Sequence, residues 1–296
     1  MNQLEYIVDT PYPVMLRTYL RGKLGLTAHM VKRLKATENC ILCNGKPIRV
    51  IDDVQHGDHI TLRLCESPSF AGNPALSVPI ILETPHLVIY NKPVDMPVHP
   101  SARHHDDTLG NAFAAQYPDC TFHALFRLDR NTSGLCAVAK TAYAANRMQG
   151  QFQKQYFALI PKGLADKGRV NAPIARMQES VITRCVRADG KQAVTDWEII
   201  CRGKNCDLAA LTLHTGRTHQ IRVHMAHIGF PLLGDDLYGG DCTLLSAHAL
   251  HCGLLTFQDP DTGKTVICQA PLRREMCDIL DASPQDVPLP YHFLLE

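Results

Sequence analysis

No apolar run in this 296-residue chain approaches the ~18 residues that a membrane-spanning helix needs, so a helical integral membrane protein is excluded. The N-terminal stretch MNQLEYIVDTPYPV lacks a basic segment followed by an apolar core and is expected not to be a signal peptide. Without such a signal, the twelve cysteines are expected as reduced thiols in the cytoplasm, not as a disulfide framework. Metal-site spacing is missing too. Cys40 and Cys43 have no second close pair, since Cys201 with Cys206 is looser and far along the chain, and a structural zinc site needs four ligands. These cysteines therefore read as small apolar strand residues. His219 and His224 are too far apart for an HxxxH zinc helix. His99, His104, His105, Asp106 and Asp107 gather where prolines forbid a regular ladder, which reads as a solvated loop. The glycine-containing loops lack the strand-to-helix context of a nucleotide site, and no internal repeat is evident. Net charge is nearly absent as well, at +1.

What the chain does have is a composition, 45% hydrophobic and 20% charged, that suits a globular protein with one large domain or two unequal ones. Its charge is unevenly placed. Residues 11–50 hold Arg17, Arg21, Lys23, Lys32, Arg33, Lys35, Lys46 and Arg49 against Glu38 alone, a local +7 that the remainder offsets with −6. Such a basic module is an electrostatic footprint for a polyanion. Val14, Leu16, Tyr19 and Leu20 fit one face of a helix. Thr27 is placed to cap a second, AHMVKRLKA, with Met30, Val31 and Leu34 inward and Lys32, Arg33 and Lys35 outward. Short strands follow, with a turn at Asn44–Pro47 and alternation from His59 to Leu64. Two small helices, then strands with NGK in a turn and a GD pair near the end, resemble an S4-like RNA-binding domain over roughly residues 12–65. Residues 66–78, rich in Ser, Pro, Gly and Asn, read as a linker.

Beyond the linker, strands are expected at Val78–Leu82 and His86–Tyr90, then a helix capped by Thr108 over LGNAFAAQY. A second helix, capped by Thr141, is expected from Ala142 to about Gln153. Lys154 to Ile160 reads as a strand with Tyr156 and Ala158 on one face and Phe157 and Leu159 on the other. Residues 161–190 read as an excursion over the surface. Hairpins are expected from Ala193–Ile200 with Leu208–His214, and from Ala249–Phe257 with Thr265–Gln269. Between them Thr218 is placed to cap a helix from His219 to about Ile228, and a final helix is expected over about Leu272 to Ala282.

Two stretches concentrate chemistry. In the first, Arg127, Leu128, Asp129 and Arg130 precede Asn131-Thr132-Ser133-Gly134, whose side chains and glycine favour a turn. A buried strand follows, so Asp129 is expected on a loop braced from behind. Two flanking cations favour its charged form. Taken alone, this pattern also fits a structural salt bridge beside a turn. In the second, Gly216-Arg217-Thr218-His219-Gln220-Ile221-Arg222-Val223-His224, residues His219 and Arg222 share a helix face.

These stretches, together with Asn91-Lys92-Pro93, Tyr156 and Ala158, Gly234-Asp235 with Tyr238-Gly239, and Leu250-His251 with Phe257, resemble the RluA-type family of RNA pseudouridine synthases. They occur in the family's order over roughly residues 78–272. One departure is Gln258-Asp259-Pro260, where relatives often carry an HP pair. The resemblance implies an α+β fold, with a mixed, largely antiparallel central sheet crossed by an RNA cleft. To this is added the small N-terminal S4-like α/β module, dividing the chain into residues 1–70 and 71–296. It implies conversion of uridine to pseudouridine in RNA, with Asp129 as catalytic carboxylate, Arg222 as its basic partner and Tyr156 as active-site tyrosine. Arg127 takes the place vacated by the extruded nucleotide, and Arg130 and Arg217 contact RNA beside it. Arg17, Arg21, Lys32, Arg33, Lys35 and Lys46 are expected to bind phosphates from the module. His219, His224 and His251 are left as packing or hydrogen-bonding residues. No metal or organic cofactor is expected, since no electrons move and no group is carried. The expected partner of this monomer is RNA, ribosomal RNA ahead of transfer RNA, and not a membrane. The competing readings are a non-catalytic RNA-binding protein and a metal-dependent hydrolase, the latter without supporting spacings.

Overall fold

The computed structural model describes residues 3–64, 69–101, 103–178 and 182–281. Residues 66–68 of the expected linker and Ala282 at the expected end of the last helix lie outside them.

The first elements are β1 (Gln3–Ile7), β2 (Val14–Met15), α1 (Leu16–Gly22), α2 (Ala28–Ala36), β3 (Ile41–Cys43), β4 (Lys46–Pro47), β5 (Asp53–Val54) and β6 (His59–Arg63). Four of the strands form an antiparallel sheet in the order β1-β6-β3-β4. Leu16, Tyr19 and Leu20 of α1 and Met30, Val31 and Leu34 of α2 are buried against Ile60 and Leu62 of β6. The Thr27 hydroxyl caps α2 by accepting the Met30 N–H at 3.2 Å. Val14 departs from its expected place on a helix, because the chain is still extended there and pairs with Val54. Strand β1 was not foreseen: its short alternating segment gives only a weak periodic signal, and it is defined by pairing with β6, more than fifty residues away.

The larger part holds β7 (Ile80–Glu83), β8 (Leu87–Lys92), α3 (Leu109–Gln116), β9 (His123–Ala124), β10 (Ser133–Ala139), α4 (Ala142–Met148), β11 (Gln153–Ile160), β12 (Lys167–Asn171), β13 (Ile174–Arg176) and β14 (Arg184–Val186). It continues with β15 (Val194–Arg202), β16 (Asp207–Leu213), α5 (Gln220–His227), β17 (Leu250–Gln258), β18 (Thr265–Gln269) and α6 (Arg274–Leu280). Ten strands form one mixed sheet, in the order β12-β15-β16-β11-β17-β10-β8-β7 with β18 and β9 appended to β17 and β10. Its pairings are antiparallel except for β10 with β17. This is the mixed, largely antiparallel α+β arrangement that the resemblance implied.

Alternation along β11 assigns its two faces. Tyr156, Ala158 and Ile160 join the main core with α3, α4 and α5, while Phe157 and Leu159 join a second core with α6. All seven residues of β10 are buried. Its Gly134 is required: φ is +104°, and an added Cβ would collide with the Cys252 carbonyl of the parallel neighbour.

Three expectations shift. Helix α4 ends at Met148, not near Gln153, because Gly150 turns the chain at φ +79° and frees Gln153 for β11. Helix α5 is headed by His219 in the left-handed region, not by a Thr218 cap. The excursion over 161–190 contains β12 on the sheet edge and the β13–β14 hairpin. Of the linker, Phe70 packs edge-on against Phe122 and beside Gly110 of α3. Tyr143 of α4 enters the core formed by α1 and α2, and Asn146 donates to the Gly25 carbonyl at 3.2 Å, so the N-terminal elements rest on α4.

Candidate active site

Asp129 lies just before β10, in a turn closed by the Thr132 N–H on the Asp129 carbonyl at 3.0 Å. The turn is braced from two sides. Lys92, fully buried at the end of β8, donates from Nζ to the carbonyls of Pro93 (2.7 Å), Met96 (2.8 Å) and Arg130 (3.0 Å). That occupies all three ammonium protons, and burial lowers its pKa to about 8. On the other side Thr132 Oγ1 meets His248 Nε2, and Ser133 Oγ meets His251 Nδ1, both at 2.8 Å. Burial holds both rings neutral, pulling His248 to about 2 and His251 to about 4. The His251 and His224 rings keep the hydrogen-bonding role expected of them, His224 between Thr195 Oγ1 and the Ala172 carbonyl.

Helix α5 supplies the groups facing the carboxylate. Arg222 Nη1 stands 3.4 Å from Asp129 Oδ2. Its firmer partner is Asp235, which takes Nε and Nη2 in a two-pronged pair at 2.7 Å each and is fully buried. Burial works against the Arg222 charge, but the Asp235 bonds outweigh it and the guanidinium pKa is raised. The guanidinium also lies 5.0 Å over the Tyr238 ring. His219 Nε2 approaches the same Asp129 Oδ2 to 3.8 Å, and its Nδ1 sits 2.8 Å from the Tyr238 hydroxyl. The Asp129 side chain remains 28% exposed, so the site is open to a ligand.

The flanking arginines do not pair with Asp129 as their adjacency suggested. Arg130 Nε donates to Asp95 Oδ1 at 2.6 Å, turning its guanidinium to the neighbouring loop. Arg127 is exposed and close enough to His99 to lower that ring's pKa, after burial has done so. The cation beside the carboxylate is instead Arg222 of α5, 93 residues on. Tyr156 is buried on β11 at a register shift against β17, a bulge that re-aims the side chain beside it. Burial pushes its hydroxyl well above the ordinary tyrosine value, with Cys252 and Asp129 adding to the shift. Arg217 is exposed, with Nε on the Gln192 carbonyl at 3.0 Å. His219 hydrogen-bonds, as expected of it, and does so beside Asp129, where Asp235 and Tyr238 join it. Their only sequence signal was membership of the GD and YG pairs. Among the described residues no cluster of His, Cys, Asp and Glu could hold a metal ion.

A carboxylate open to solvent beside a buried arginine suits attack on an electron-poor sugar carbon or stabilisation of its cation. The family model for RNA pseudouridylate synthase matches residues 86–227. An uncharacterized RNA pseudouridine synthase of Bacillus subtilis is 33% identical over 271 residues, covering 88% of this chain and 96% of the relative. The chain belongs to the RluA-type RNA pseudouridine synthases. Ribosomal large subunit pseudouridine synthase D of Haemophilus ducreyi is 36% identical, over 70% of this chain and 71% of that one. The structure of human RNA pseudouridylate synthase domain containing 1 superposes with a TM-score of 0.56 at 24% identity, over 70% of this chain and 96% of that one, and so shares the fold. As a pseudouridine synthase the protein acts on RNA. Its reaction breaks the C1′–N1 bond, turns the uracil and joins C5 to C1′, with the C5 proton leaving and N1 gaining one.

Proposed function

We propose that this enzyme isomerises specific uridines in large-subunit ribosomal RNA, using Asp129 as the catalytic carboxylate, Arg222 as its basic partner and Tyr156 as a ring against the uracil. The observation that carries the assignment is the approach of Arg222, locked by Asp235, to an Asp129 still open to solvent. Tyr156 keeps its hydroxyl proton at neutral pH, so in the resting site it serves as a stacking surface and donor. The ribosomal choice rests on relatives such as the Haemophilus ducreyi enzyme, whose name states that substrate. In this reading it works as a monomer in the cytoplasm; no helix among the described residues is long and apolar enough to cross a membrane. Comparing pseudouridine maps of total RNA from cells with and without the gene tests the target. Loss of a site in large-subunit RNA supports the reading, and loss in transfer RNA alone replaces it.

Residues 1–70 act in this reading as an RNA-binding module of the S4-like kind, and 71–296 as the catalytic part. Arg17, Arg21, Lys32, Arg33, Lys35 and Lys46 are all exposed. Phosphate contacts release counterions, so each one lost should flatten the salt dependence of log K by about 0.7–0.9. Replacing Arg17, Arg21, Lys32 and Lys35 by glutamine is expected to weaken RNA affinity and reduce the slope by up to about 3.6. Binding titrations over salt measure it, and an unchanged slope would mean that these faces are only solvated.

Arg127, exposed beside the opening, is the residue for the gap left by the flipped nucleotide. Its planar guanidinium can stack on bases and pair with phosphate. Extrusion costs a few kcal/mol, least where the base is already unstacked. Arg127→Ala should therefore slow the reaction about 10- to 100-fold on a structured RNA and much less on one presenting an unpaired, unstacked uridine. Equal losses on the two substrates would reduce Arg127 to a backbone contact.

A further inference from the structure

His219 sits where the backbone is forced. It heads α5 at φ 57° and ψ 20°, and its side chain makes no capping bond to the helix. A non-glycine residue in that region is strained and persists where its surroundings over-determine it. Here the conformation holds the ring between two groups, with Nδ1 2.8 Å from the Tyr238 hydroxyl and Nε2 3.8 Å from Asp129 Oδ2.

The neighbours decide which ring nitrogen carries the proton. The Tyr238 oxygen already accepts the Arg184 backbone N–H, at 3.0 Å, which leaves its own proton for His219 Nδ1. On the far side stands a carboxylate, which only accepts. A ring that accepts at Nδ1 and donates at Nε2 satisfies both partners, while the other tautomer turns a bare nitrogen toward Asp129. The charge state follows from the groups facing the ring. Burial disfavours the imidazolium most, Asp129 and Asp235 favour it, Arg222 and Arg184 oppose it, and His248 beside it is neutral; the balance lies below the ordinary histidine value.

We propose that His219 is a positioning residue for Asp129: a neutral imidazole, locked by Tyr238 as the Nε2–H tautomer, that steadies one side of Oδ2 while Arg222 steadies the other. Both groups address Oδ2, and among the described residues no side chain hydrogen-bonds Oδ1, which is left for the sugar. A neutral donor orients the carboxylate without adding a second full positive charge that would blunt it. The approach of 3.8 Å is longer than a hydrogen bond, as resting catalytic sites often are before substrate closes them. Tyr238 couples both supports, since its hydroxyl sets the His219 tautomer and its ring face lies under Arg222. The inference rests on the assignment of Asp129 above.

Long-range proton–nitrogen NMR on the full-length protein with labelled histidine reads the tautomer without turnover. A proton on Nε2 is expected, and a proton on Nδ1 overturns the proposal. Single-turnover rates then test the role. Glutamine places its amide nitrogen near Nε2 and asparagine near Nδ1, so His219→Gln should stay within about tenfold of the parent while His219→Asn and His219→Ala fall about 100-fold in maximal rate. Tyr238→Phe keeps the ring under Arg222 but removes the proton donated to Nδ1. That bond favours the neutral ring, so its loss raises the His219 pKa and moves the acid limb of the rate upward. The Tyr238→Phe deficit should be larger, by up to about fourfold, at about pH 6 than at about pH 8. Three equally impaired His219 variants, or a Tyr238→Phe profile parallel to the parent's, overturn the proposal. An active Asp129→Asn protein would instead remove the assignment beneath it.

Discussion

Asp129→Asn is expected to lower the rate of pseudouridine formation by at least about 10³-fold, the scale on which a charge aimed at the reacting centre contributes. The substitution is nearly isosteric and removes the negative charge and the nucleophilic oxygen together. The frame should stay in place, because Arg222 keeps its two bonds to Asp235 and Lys92 still pins the loop through the Arg130 carbonyl. The thermal midpoint and RNA affinity should therefore change little. Release of tritium from C5-labelled uridine in RNA measures the chemistry. Turnover within tenfold of the parent, in protein checked for deamidation, would remove Asp129 from its role.

Much of this site could be read from the chain, and its omissions have a common cause. The helix caps at Thr27, Thr108 and Thr141 depend on a hydroxyl and an N–H three residues later, and all three form. The faces of β11 follow from alternation alone, which puts Tyr156 on the main-core side. Arg222 and His219, three apart in sequence, both approach Asp129, although His219 stands at the left-handed head of α5 and not on its helical face. What local pattern could not supply was partner choice. Arg130 is adjacent to Asp129 in sequence, yet its guanidinium goes to Asp95, 35 residues earlier. Asp235 lies in a glycine-punctuated loop with nothing to announce that it would be fully buried against Arg222. The left-handed turn at His219, which brings its ring to Tyr238, replaces an ordinary threonine cap. Each of these outcomes depends on how loops close over the sheet, and propensity does not encode that.

Asp235→Ala should cost about 3–5 kcal/mol, because it leaves the buried Arg222 without the partner that holds two of its nitrogens. In a chain of this size that corresponds to a melting point lower by about 6–15 °C. The side-chain exposures, 7% for Arg222 and none for Asp235, place the pair away from the solvent that screens surface bridges. Asp129 is the nearest remaining acid, 3.4 Å from Nη1, so the freed guanidinium is expected to close on it. Activity should then fall further than unfolding explains, since the carboxylate would be tied up by a two-pronged contact. A second variant separates the effects. Replacing the pair by apolar residues, Arg222→Met with Asp235→Leu, removes both buried charges and should recover much of the lost stability. It should not recover turnover, because Asp129 then lacks its cation. Thermal melts and single-turnover rates on the two variants make the comparison. An Asp235→Ala protein that melts with the parent, or a double variant that regains activity, would show that Asp235 does not hold Arg222 in place for Asp129.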